Sequence, residues 1–188
     1  MKRLLAAALL STAAVNANAL DFTFTGSLEN RNEVAFFDFS LSSLTNNVRA
    51  WTDSFQSGVN FDPIIAVWQQ TGSDWLRVGQ NDDNASVGPG QTYYDAGLSF
   101  ASLAAGNYRL SVSPFNNFSA GTLLSQGFIY DSLAPQSHGY AGNFFRVNLS
   151  NVDSASPVSP VPEPETYAML LAGLGLMVGF ARRRKQQA

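Results

Sequence analysis

Ala35-Phe36-Phe37-Asp38-Phe39-Ser40-Leu41 is the stretch that decides the fold. Ala35, Phe37, Phe39 and Leu41 fall on one side of a period of two, and Phe36, Asp38 and Ser40 on the other. Side chains of an extended strand point alternately to opposite faces, so this is a half-buried β-strand. The pattern recurs outward in both directions. Phe22 and Phe24 alternate with Thr23 and Thr25 before Gly26, and Tyr108, Leu110 and Val112 alternate with Arg109, Ser111 and Ser113. Val48 to Phe55 is rich in aromatic and β-branched residues. Pro63 to Gln69 reads as an apolar central strand, with proline tolerated at its first position. Trp75 to Val78 is its short partner across Thr71-Gly72-Ser73-Asp74. Leu98 to Leu103 precedes a turn at Ala105-Gly106-Asn107, and Phe128–Tyr130 and Phe144–Leu149 complete a set of about nine short strands. No long amphipathic helix appears between them. The expectation is an all-β, antiparallel β-sandwich. Asn151 to Pro160, rich in Ser, Pro and Val, reads as a flexible spacer.

Both ends of the chain have a different character. Lys2 and Arg3 precede an apolar run from Leu4 to Val15, and Ala17-Asn18-Ala19 follows as an A-x-A pattern. This order defines a secretory signal peptide over residues 1–19, cut by signal peptidase after Ala19. At the other end, Pro162-Glu163-Pro164 precedes an uncharged segment, residues 166–181, and then Arg182-Arg183-Arg184-Lys185. As a helix, Tyr167 to Ala181 covers roughly 23 Å, short of a hydrocarbon core of ~30 Å unless the arginines snorkel. The basic cluster favours the cytoplasmic side of a membrane and leaves the body outside.

The remaining body, residues 20–150 with its spacer 151–160, is of single-domain size. The chain has no cysteine, so no disulfide supports an exported fold. The formal charge of −3 hides a contrast between body and ends. Between Leu20 and Pro160 only Arg31, Arg49, Arg77, Arg109 and Arg146 stand against twelve acids, a net of −7, and no lysine occurs. Such a surface repels phosphate backbones, which argues against nucleic acid, and it is compatible with cations and neutral glycans.

Asn81-Asp82-Asp83-Asn84, with Asp62 and Asp95 in flanking segments, is the richest cluster of oxygen ligands. Calcium takes six to eight such oxygens, so Asp62, Asn81, Asp82, Asp83 and Asp95 are candidate ligands. Asn and Asp also form turns through their own backbone, and that reading stands beside the first. The spacing is not an EF-hand: counted from Asp82, the sixth residue is Val87 and the twelfth Tyr93. Trp51, Trp68, Trp75, Tyr93 and Tyr94 are either core residues or a sugar-binding platform. Trp51 shares its strand face with Arg49 and Asp53, which points to exposure. His138 is the single histidine and lies in a loop-like segment, so neither a His-rich zinc site nor a Cys-His dyad can be assembled. No G-x-S-x-G elbow is present, and no catalytic residue is assigned.

The tail resembles the PEP-CTERM sorting signal of Gram-negative bacteria, through Pro162-Glu163-Pro164, the apolar segment and Arg182-Arg183-Arg184. That resemblance implies an exosortase, a membrane transpeptidase, as partner, transient anchoring in the inner membrane, and delivery to the cell surface or extracellular matrix. The body resembles pre-peptidase C-terminal (PPC) domains. Asn32-Glu33-Val34-Ala35-Phe36-Phe37-Asp38-Phe39 is similar to their opening strand, and Ala104-Ala105-Gly106-Asn107-Tyr108-Arg109-Leu110 to their closing hairpin. The resemblance implies a jelly-roll sandwich. The usual acidic pair of that opening strand is replaced here by Asn32 and a nearby Glu33. The expected function is an exported, non-enzymatic protein with a structural or adhesive role in exopolysaccharide or biofilm. A secreted glycan hydrolase and an ice-binding protein are the alternatives; the sequence offers no regular Thr-x-Thr array for the latter.

Overall fold

The computed structural model describes residues 20–158. The signal-peptide residues Ala17 and Ala19, the motif Pro162-Glu163-Pro164, the apolar segment 166–181 and the cluster Arg182-Arg183-Arg184 lie outside the described residues. Among the described residues no helix is long and apolar enough to cross a membrane.

Nine strands form two antiparallel sheets: β1 (Leu20–Ser27), β2 (Ala35–Leu41), β3 (Thr45–Thr52), β4 (Pro63–Thr71), β5 (Asp74–Asn81), β6 (Gly97–Leu103), β7 (Gly106–Pro114), β8 (Phe144–Val152) and β9 (Ser154–Pro157). One sheet has the order β1-β8-β3-β6 and the other β5-β4-β7-β2-β9. This is the expected all-β antiparallel sandwich. The alternation of β2 is realised: Phe37, Phe39 and Leu41 are buried between the sheets while Phe36, Asp38 and Ser40 face outward. Phe37 stacks on Phe24 at 4.6 Å and meets Phe145 edge-on at 6.1 Å, so the core is sealed by rings from both sheets. Ile65, Val67, Leu110, Val112, Val147 and Leu149 fill the space between.

Four expectations change on contact with the structure. Phe128–Tyr130 is a turn joined to Ser119 by a single bridge, not a strand. Strand β4 is apolar on both faces, so Ala66 and Trp68 need an outer cover. Phe128 supplies it, packing on Trp68 at 6.3 Å and Phe36 at 6.1 Å. The Ala-Gly-x-Tyr segment is not a hairpin within one sheet. It is a corner that carries the chain from β6 in one sheet to β7 in the other. The Tyr108 hydroxyl donates to the Ala104 carbonyl at 2.8 Å and its ring stacks on Phe39 at 5.1 Å, which fixes that corner. The strand expected over Val48 to Phe55 stops at Thr52, because the amides of Ser54 and Phe55 turn to a carboxylate. The spacer expected over Asn151 to Pro160 is partly strand. β8 continues to Val152, and β9 then pairs with the edge of β2, Phe37 opposite Pro157. A Ser- and Pro-rich edge strand needs backbone bonds and little burial, and a terminal proline costs it none of those bonds.

Candidate metal centre

Register builds the centre. In the β4–β5 pair, Ile65 lies opposite Asn81, so Asp62, just before β4, and Asp82 and Asp83, just after β5, arrive at the same end of the sheet. Gly72 at φ 63 occupies the tight connection that sets this register. One carboxylate oxygen from each of Asp62, Asp82 and Asp83 can be chosen so that all three lie within 4.8 Å of one another. Asp62 is buried at 5 % exposure, Asp82 is half-buried and Asp83 is exposed, so the triad opens outward from a buried base. Oδ1 of Asp62 and Oδ1 of Asp82 are both buried without a hydrogen-bond partner. The two ion pairs among the described residues, Arg109–Asp38 and Arg146–Asp53, lie elsewhere.

The electrostatic consequence is a carboxyl pushed far from its ordinary range. Burial, then the charges of Asp82, Asp83 and Asp95, raise Asp62 from 3.8 to about 7. Burial and Asp83 raise Asp82 to about 6. Tyr140, from the long segment before β8, is pushed up to about 12 by burial first and then by Asp62, Asp82, Tyr94 and Asp83. No periodicity in its segment marks that tyrosine in the sequence.

Two expected ligands are engaged elsewhere. Asp95 is fully buried and its oxygens accept from five donors: Oδ1 from Thr52 Oγ1, Ser54 N and Phe55 N, and Oδ2 from Thr92 N and Thr92 Oγ1. Asn81 Oδ1 accepts from Gly97 N at 2.8 Å. Both residues shape the segment that follows Asp83 rather than completing the triad. Gln91, absent from the expectation, is the hub of that segment. Its Oε1 accepts from Val87 N and Gly88 N, and its Nε2 donates to the carbonyls of Asn84 and Ala96. The Asn84 side chain accepts from Ser86 in an Asx-type turn, so the turn reading holds for Asn84. At Gly97 an added Cβ would lie 2.5 Å from the Asn84 carbonyl oxygen and 2.6 Å from Val87 Cγ2. Gly97→Ala is therefore expected to cost about 1–3 kcal/mol and to lower the melting temperature by several degrees in a thermal unfolding scan. An unchanged temperature would mean that the segment shifts freely.

Trp51 corrects the expectation of an exposed platform. It is only 7 % exposed, and Gly88 passes so close that a Cβ there would meet the ring at 2.1 Å. Arg49 lies 5.4 Å over the same ring. Trp68 is fully buried and donates to Ser111 Oγ at 3.1 Å. Tyr93 and Tyr94 are exposed and meet edge-on at 4.6 Å. His138 is a structural pin: its Nδ1 accepts from Tyr140 N at 3.2 Å, which leaves Nε2–H to donate to the Leu28 carbonyl at 2.9 Å.

The donor set is all oxygen and all carboxylate, which suits a hard cation and not a soft one. Three carboxylates around a buried oxygen that lacks a partner fit calcium. Asp62, Asp82 and Asp83 would hold it, and it would neutralise their mutual repulsion.

Residues 160–185 match the PEP-CTERM protein-sorting motif. The chain is therefore an exported protein sorted to the cell surface through an exosortase, a membrane enzyme. No curated protein matches its sequence significantly. Among solved structures it is similar to the pre-peptidase C-terminal domain of a collagenase from Bacillus anthracis, at 13 % identity and a TM-score of 0.39, over 73 % of this chain and 90 % of that one. It is also similar to the Yersinia pseudotuberculosis-derived mitogen, at 10 % identity and a TM-score of 0.39, over 74 % of this chain and 99 % of that one.

Proposed function

We propose that the protein is a non-enzymatic β-sandwich of the cell surface or extracellular matrix. Calcium locks the loops at one end of the body, and its role is structural or adhesive within exopolysaccharide. The observation that carries the calcium reading is the Asp62 carboxylate, buried and unpartnered, facing Asp82 and Asp83. A cysteine-free body has no covalent staple, and an ion coordinated by Asp62 before β4 and by Asp82 and Asp83 after β5 would supply a non-covalent one. Millimolar calcium, common outside cells and scarce inside, would let such a site fill on export. The delivery route supplies the setting: residues 160–185 address the protein outward, and in this reading the exosortase removes the tail after transient anchoring in the inner membrane of a Gram-negative cell.

Thermal unfolding with calcium and with chelator tests the metal. Calcium is expected to raise the melting temperature by several degrees, and superimposed curves would end the calcium reading. Mass spectrometry of the mature C-terminus from fractionated cells, with and without the exosortase, tests delivery. A chain found intact through Ala188 in the inner membrane would overturn it.

A further inference from the structure

The outer face of the five-stranded sheet holds a second, unassigned site. Part of it is covered by Phe128 and its neighbours, but the end by the β4–β5 turn and the start of β7 is open and forms a groove of about 420 Å³. Trp75 on β5, Gln70 on β4, Asn107 on β7, Asp38 and Ser40 on β2 and Ser154 on β9 line it. Every strand of the sheet thus contributes, in spatial order, and the groove crosses the strands. Four gaps between five strands make it roughly 19 Å long. We propose that this groove binds a neutral polysaccharide chain.

The lining carries the argument. Trp75 is partly buried, packed on one side against the Ala66–Trp68–Phe128 cluster, and held in place by the Arg109 guanidinium, 4.4 Å from its ring centroid. An indole edge or face offers the apolar C–H side of a pyranose ring its natural partner. The polar side chains are preorganised by pairing across strands. Arg109 donates to both oxygens of Asp38, at 2.6 and 2.9 Å; Asn107 Nδ2 donates to Gln70 Oε1 at 2.9 Å; the hydroxyls of Ser40 and Ser154 meet at 2.7 Å. Each pair leaves further donors or acceptors facing solvent: Gln70 Nε2, Asn107 Oδ1, the free lone pairs of Asp38 and the serine oxygens. Fixed amides, hydroxyls and a carboxylate beside one aromatic ring match vicinal sugar hydroxyls at low ordering cost. Charge selects among glycans. Arg109, the cation beside the groove, is already neutralised by Asp38, and the body is strongly acidic, so uronic-acid and sulfated chains are disfavoured.

This deepens the matrix role proposed above and rests on it only for the source of the glycan; the groove is separate from the acid triad. The test is affinity electrophoresis of the purified protein through gels containing β-glucan, galactomannan or xylan, with alginate as the anionic control. Retardation by at least one neutral polymer and none by alginate is expected. Gln70→Ala combined with Asn107→Ala changes exposed side chains only. It is expected to weaken that retardation at least tenfold with an unchanged melting temperature, and Trp75→Ala more so, with Trp75→Phe partly restoring it. Migration unaffected by every neutral polymer, or a double variant retarded like the parent, overturns the groove. A matrix-located protein that binds no glycan would sink the groove alone. A glycan-binding protein never found outside the cell would support the groove and sink the matrix role.

Discussion

Asp95→Ala is expected to unfold much of the end of the sandwich that bears the acid triad, at a cost of about 4 kcal/mol or more. The carboxylate is fully buried and five donors converge on it. Three of them are backbone amides, Ser54 N, Phe55 N and Thr92 N, which cannot rotate away. Alanine leaves those amides in a dry site with no acceptor, and each orphaned donor costs about 1–3 kcal/mol. Thr52 Oγ1 also donates to Asp95 and accepts from Ala96 N at 2.9 Å, so the loss spreads into the end of β3 and the start of β6. Asp95→Asn keeps one acceptor oxygen but turns an amide group toward Thr92, and is expected to fall between parent and alanine. Urea unfolding monitored by tryptophan fluorescence reads the effect. A midpoint shift worth less than about 1 kcal/mol would show that water replaces the carboxylate.

Asp62→Asn is expected to act in the opposite direction in the absence of metal. The folded-state carboxyl titrates near 7 where the unfolded one titrates near 3.8, because burial and Asp82, Asp83 and Asp95 disfavour its charge. The native state therefore holds a proton that the unfolded state has released between those two values. Stability from this group is fully present below about pH 4 and is lost as pH rises toward neutrality. The asparagine cannot ionise, so the metal-free variant is expected to be more stable than the parent above neutral pH, by roughly 2–4 kcal/mol. It should also lose most of that pH dependence. The same change removes the buried ligand, so calcium should no longer raise its melting temperature. Thermal scans across pH, with and without calcium, read both effects. A metal-free variant less stable than the parent above neutral pH would mean that Asp62 is charged and satisfied without a cation.

The body's architecture was legible because its strands alternate. Phe37, Phe39, Tyr108 and Leu110 declare their inward faces by spacing alone, and Thr71-Gly72-Ser73-Asp74 announces the β4–β5 connection. The acid cluster was legible as composition but not as geometry. Asp62, Asp82 and Asp83 meet because of register, and register follows from a turn and a bulge between Val67 and Trp68. Asp95 and Asn81 looked the same in sequence, yet their oxygens serve backbone amides that no spacing rule reveals. Trp51 misled because its neighbours Arg49 and Asp53 are polar. The cover over its ring comes from Gly88, thirty-seven residues away. β9 was invisible because an edge strand of Ser and Pro carries no hydrophobic period.

That edge strand has a mechanical meaning. The chain leaving Pro157 leads directly to the sorting motif at residues 160–185, so any tension on the tail reaches β9 first. Four residue pairs with β2 stand between such a pull and the rest of the sheet. Until the tail is cut away, a pull along it would meet those four pairs and the packing of Ala155 on the core before it met any other strand.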